Sequence, residues 1–118
     1  MDNLQKLKTD MYDFAVERDW LQFQTPKNLA MALTAEAGEL LECFQWLNPE
    51  QSENLSAEQR LAVADEIADV QLYLVRLADS LDLDIYSECK RKIQLNAAKY
   101  PAQLVKGSSK KYTAYKLD

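Results

Sequence analysis

Apolar residues recur at spacings of three and four along most of the chain, the period of one buried face of an α-helix. Leu4, Leu7, Met11, Phe14 and Ala15 set a first helix over about 3–18. The pattern breaks from Trp20 to Thr25, which reads as a loop. Thr25 before Pro26 is an N-cap followed by proline at the first helical position, where its missing N–H removes no intrahelical bond. A second helix is therefore predicted from 26 to about 47, stopped by Asn48-Pro49. The polar stretch Pro49 to Leu55 reads as a mobile loop. Ser56 and Gln59 form a capping box ahead of a third helix that continues through Leu61 to Leu81. Asp82 to Asp84 makes a turn, and Asp84 caps a fourth helix that runs through Lys99 and stops before Pro101. The expected fold is all-α, a four-helix protomer. One helical domain covers 1–101, and a basic tail over 102–118 belongs to the same domain or packs on a neighbouring subunit.

Composition agrees with long helices. The 118 residues include two Gly and three Pro, too few for a turn-rich all-β fold, and the length gives room for one core. Two cysteines, Cys43 and Cys89, fit neither a disulfide framework nor a zinc ribbon and point to a reducing compartment. Met1 to Asp10 mixes acids, bases and apolar residues, unlike a signal peptide. No run approaches the roughly 18 apolar residues of a membrane span. A soluble, cytoplasmic protein is expected.

The net charge of −5 is unevenly spread: residues 1–89 hold 6 bases and 18 acids, whereas 90–118 hold 8 bases and one acid. The acidic body argues against duplex nucleic acid as a partner. The basic segment suits a small polyanion, or simply complements a helix dipole.

Glu36 and Glu39 on the second helix, and Glu66 and Asp69 on the third, are two acid pairs at i, i+3. At about 100° per residue each pair shares a helix face. Relative to Glu36, Leu29, Leu40, Leu33 and Phe44 fall within about +20° to +80°; relative to Glu66, Leu77, Val70, Leu81 and Leu74 occupy the same arc. Both pairs thus border the side that must be buried. Packed as an antiparallel hairpin, the two helices bring four carboxylates to one seam. There they repel unless protonated or neutralised. Their hard oxygen donors favour Mg²⁺ or Mn²⁺ over Zn²⁺, and the absence of His excludes a Glu-x-x-His di-iron site. The alternative is two solvated acid pairs. Gly38, between Glu36 and Glu39, leaves room either for a ligand or for a tight helix contact.

Trp20, Phe23 and Trp46 flank the second helix outside its apolar stripe and can stack on a flat ring or anchor loops. Tyr73 lies one turn beyond Asp69, within reach of anything held there. Lys92, Asn96 and Lys99 form a row on the fourth helix that suits phosphate or sugar oxygens, or is a solvated face.

Glu36-Ala-Gly-Glu39 followed by Glu66-Ile-Ala-Asp69 resembles the paired ExxE and ExxD of the MazG-type all-α nucleoside triphosphate pyrophosphohydrolases. Longer blocks are similar to members of that family that act on dCTP: Phe14 to Trp20, Pro26 to Leu29, Glu36 to Trp46, Glu66 to Leu74 and Ser108 to Tyr112. Together they span about residues 11–115. The resemblance implies Mg²⁺-dependent conversion of a deoxynucleoside triphosphate, dCTP or a 5-modified dCTP, to the monophosphate and pyrophosphate. It makes Glu36, Glu39, Glu66 and Asp69 the metal ligands, with Glu36 or Glu39 orienting the attacking water. Trp20 and Trp46 match base-pocket aromatics, and Tyr73, Lys92 and Asn96 match sugar or phosphate contacts. Lys99, Lys110 and Lys111 are further candidates for phosphate charge. The family also implies a homodimer or homotetramer. Gln24 and Met11 stand where such members carry His, and Lys99 where Arg is common. Base preference therefore stays open, with dUTP as an alternative substrate and a non-catalytic oligomerisation module as the alternative of another class.

Overall fold

The structure, a computed structural model, describes residues 2–109. It is all-α, with no strand among the described residues. α1 (Asn3–Glu17) begins where Asp2 accepts the Gln5 N–H at 2.8 Å. It ends in a Schellman turn, the Trp20 N–H donating to the Ala15 carbonyl and the Asp19 N–H to that of Val16. A 3-10 turn over Leu21–Phe23 leads to α2 (Pro26–Glu42), capped by the Thr25 hydroxyl, which accepts the Asn28 N–H at 3.2 Å. α3 (Pro49–Glu53) and α4 (Ala57–Ser80) each open with a complete capping box, Asn48 with Gln51 and Ser56 with Gln59. α5 (Ile85–Lys99) is capped by Asp84, whose Oδ2 accepts from the Ser87 N–H at 2.8 Å, and the short α6 (Ala102–Val105) follows Pro101.

Two expectations need correction. The second helix stops at Glu42 rather than near 47, because the N–H groups of Cys43 and Phe44 turn to the carbonyls of Leu40 and Leu41, three residues back, and close the helix as a tight turn. The segment after Asn48 is not an irregular loop, since its Asn48/Gln51 box and Pro49 start a helical turn there.

The chain forms two compact units, one up to Leu83 and one from Asp84 onward. In the first, α4 packs against both α2 and α1. Its core is small: Ala15, Leu29, Val63, Val75 and Ala78 are buried. The apolar arc drawn from the sequence holds for Leu29, but Leu74 and Leu81 on α4 remain exposed, as do Met31, Leu41 and Leu61. Burial on α4 is shifted toward Val75 and Ala78 because that helix serves two neighbours. The second unit comprises α5 and α6, and no side chain of α5 is buried. No helix among the described residues is long and apolar enough to cross a membrane.

Candidate functional site

The acid pairs meet on the seam between α2 and α4. Carboxylate oxygens of Glu36, Glu39 and Glu66 all lie within 4.8 Å of one another. Asp69 stands outside that mutual distance yet is near enough for its charge to act on both Glu36 and Glu66. Glu36 and Glu66 are half-buried, and each has one Oε2 shielded from solvent with no hydrogen-bond partner among the described residues. A carboxylate only accepts, and the groups around these oxygens are other carboxylates. The electrostatic consequence is large. The neighbouring Glu39 carboxyl, then burial and Glu66, push the Glu36 carboxyl up to about 7. Burial foremost also raises Glu66, with the charges of Glu39 and Asp69 adding to it and hydrogen bonding to Glu36 opposing it. Stranded, like-charged hard oxygens of this kind fit a divalent cation of the Mg²⁺ or Mn²⁺ type.

One helical turn along the same seam is an open cavity of about 210 Å³ lined by Trp20, Phe23, Gln24, Asn28, Leu29, Ala32 and Tyr73. Ala32 and Glu36 are i, i+4 on α2, and Tyr73 and Asp69 are i, i+4 on α4, so cavity and acids are separated by about 6 Å of helix rise. Trp20 is held edge-on by Phe14, their ring centres 5.7 Å apart. The Asn28 amide donates to the Phe23 carbonyl at 2.9 Å, and Gln24 accepts from Arg76 at 2.9 Å.

Of the residues singled out from sequence, Trp20, Phe23, Gln24 and Tyr73 line this cavity and the carboxylates adjoin it. Trp46 does not line it; it is 86% exposed on the turn after α2. Lys92, Asn96 and Lys99 share one face of α5 in the second unit, all exposed. Lys110 and Lys111 lie outside the described residues. A Cβ on Gly38 would meet nothing within 4 Å, so the tight helix contact expected as one reason for that glycine is not made among the described residues. Asn28 and Arg76 were not foreseen. Asn28 follows the Thr25-Pro26 cap closely enough to have been suspected, whereas nothing local marks Arg76, whose partner Gln24 is 52 residues away.

The sequence profile of the MazG-like family matches residues 31–114. The chain belongs to the MazG-like family. It is 43% identical over 103 residues to dCTP pyrophosphatase 1 of Homo sapiens, an overlap of 86% of this chain and 61% of that protein. The Bos taurus protein of the same name is 42% identical over the same shares. The chain thus spans about three fifths of the length of the curated relatives it matches. Among solved structures, a pyrophosphatase from Archaeoglobus fulgidus superposes with a TM-score of 0.80 at 35% identity, covering 86% of this chain and 94% of that one.

Proposed function

We propose that the protein is a divalent-cation-dependent nucleoside triphosphate pyrophosphohydrolase that converts a dNTP, with dCTP or a 5-modified dCTP favoured, to dNMP and pyrophosphate. The observation that carries this reading is the pair of buried, unpartnered Oε2 atoms of Glu36 and Glu66 one helical turn from an aromatic cavity. Relatives named for dCTP pyrophosphatase activity and the pyrophosphatase neighbour support it.

Glu36, Glu39, Glu66 and Asp69 would hold the cation, Mg²⁺ or Mn²⁺, which supplies charge relief to the phosphate oxygens when bound. Trp20 and Phe23 would offer their rings to the base, and Tyr73, which lines the cavity one turn from Asp69, suits the sugar. A carboxylate edge of Glu36 or Glu39 left free of the cation accepts the proton of the attacking water and aligns it with the phosphoanhydride. Lys92, Asn96, Lys99, Lys110 and Lys111 are proposed to stabilise charge on the departing pyrophosphate.

The working form is proposed to be a homodimer or homotetramer. The small core and the exposed Met31, Leu41, Leu61 and Leu74 support this, since burying such side chains against a second copy is favourable by about 1.5–3 kcal/mol each at full burial. Trp46, away from the cavity within one protomer, would join a base pocket only across such an interface, and the tail from 102 onward would pack in the same domain or on the neighbour. The free thiols of Cys43 and Cys89 suit a cytoplasmic setting.

Pyrophosphate release from the four dNTPs, dUTP and 5-methyl-dCTP, with and without EDTA, tests the proposal. EDTA-sensitive release by the wild type that is lost in Glu39→Gln is expected. Inertness of the wild type toward every nucleotide would overturn it in favour of a non-catalytic module.

A further inference from the structure

Arg76 is an unusual occupant of a helix core. It is 5% exposed on α4, and a buried guanidinium is unfavourable unless its N–H groups are met. Two of its nitrogens find partners: Nη1 donates to Asp79 at 2.7 Å and Nε donates to Gln24 Oε1 at 2.9 Å, while the Tyr12 ring centre lies 5.9 Å from Cζ. Lys8 supports Asp79 from α1 at 3.6 Å. An apolar side chain would pack at position 76 without any of these demands, so stability alone gives no reason for an arginine.

The bond to Gln24 has a chemical consequence. Arginine has donors only, so the oxygen of the Gln24 amide must face it, and what Gln24 can offer a ligand in the cavity is N–H. The same logic applies at Asn28. Its Nδ2 faces the Phe23 carbonyl, an acceptor only, which leaves Oδ1 as the acceptor available to a ligand. The cavity therefore presents one amide donor and one amide acceptor of fixed sense, although free Gln and Asn side chains can swap the two ends by a flip. Cytosine carries an acceptor at N3 beside an amino donor; uracil carries a donor at N3 beside a carbonyl acceptor. With the Gln24 N–H set opposite N3 and the Asn28 oxygen opposite the exocyclic group, a pocket of fixed sense pairs with cytosine and sets donor against donor in uracil, whereas a pocket free to flip accepts both.

We propose that Arg76 is a positioning residue that locks the Gln24 amide with its N–H groups toward the ligand, making the cavity selective for a cytosine edge over a uracil edge. This rests on reading the cavity as the base pocket.

The test is binding of dCMP and dUMP to the full chain in Mg²⁺, by calorimetric titration, with pyrophosphate release from dCTP and dUTP followed in parallel. The wild type is expected to bind dCMP at least about tenfold more tightly than dUMP. Arg76→Met, which keeps the stem but not the donors, should bring the ratio to within about threefold. Gln24→Glu keeps the partner for Arg76 but has no N–H, and should abolish or invert the preference even where Arg76→Met fails to fold. An unchanged ratio in either folded variant, or no preference in the wild type, overturns the proposal. Hydrolysis with an Arg76-independent ratio rejects this inference alone. An Arg76-dependent ratio without hydrolysis sustains it and rejects the pyrophosphohydrolase reading.

Discussion

Glu36 of α2 and Glu66 of α4 bring carboxylate oxygens within 4.8 Å of each other across the seam, and each leaves one buried oxygen without a donor. Two helices whose packing forces such a contact are held together against their own charge.

The first prediction concerns pH. With its folded-state carboxyl raised to about 7, Glu36 binds a proton in the folded chain at pH values where the unfolded chain, near 4.5, has released it. Its contribution to stability is then complete below about 4.5 and is lost as pH rises through about 7. In EDTA the melting temperature of the wild type relative to Glu36→Gln should fall between pH 5 and 8, and excess Mg²⁺ should flatten that decline. A difference that rises with pH in EDTA would contradict the raised Glu36 carboxyl.

Glu66→Gln removes one crowded charge, so the apo protein should melt at the same temperature or higher. The same change should lower activity by about 100-fold or more, because one cation ligand is lost. Mg²⁺ at about 100 times its Kd should stabilise the wild type by about 2.7 kcal/mol. Glu66→Gln should require correspondingly more of it. Thermal melts across a Mg²⁺ series measure both.

Trp20→Ala should raise KM about tenfold or more with a smaller change in kcat, the size of a lost ring-on-base contact. Trp46→Ala separates two architectures. If Trp46 reaches the pocket of a second copy, its KM effect should match that of Trp20→Ala; if it does not, kinetics should stay within about twofold of wild type.

Asp82 closes α4 with φ of 54°, the Leu83 N–H returning to the Ala78 carbonyl at 2.9 Å. A Cβ is disfavoured there by roughly 1–2 kcal/mol, a penalty glycine avoids. Asp82→Gly should therefore stabilise the protein by about 1 kcal/mol without altering kinetics, as denaturant melts would show.

Local chemistry made much of this fold legible. Thr25-Pro26, Ser56 with Gln59, and Asp84 each cap the helix they predict, and the matched registers of Glu36/Glu39 and Glu66/Asp69 anticipate a shared locus. Asn48 and Gln51 carry the same signal as Ser56 and Gln59, but five polar residues without an apolar period mask it. The end of α2 is not legible locally, because Leu40, Phe44 and Leu47 continue the helical spacing through a tight turn. Which apolar residues of α4 are buried depends on α1 and α2 packing on it together, and the bond between Arg76 and Gln24 on a contact 52 residues apart. Neither has a local signature.

Because the Asn28, Leu29, Ala32 and Tyr73 side of the aromatic cavity and the whole carboxylate cluster are carried by α2 and α4, separating those two helices dismantles both. Thermal inactivation and loss of helicity should coincide in a single event, with no inactive folded species accumulating on the way. Heat takes catalysis from a protein arranged like this only by taking its architecture.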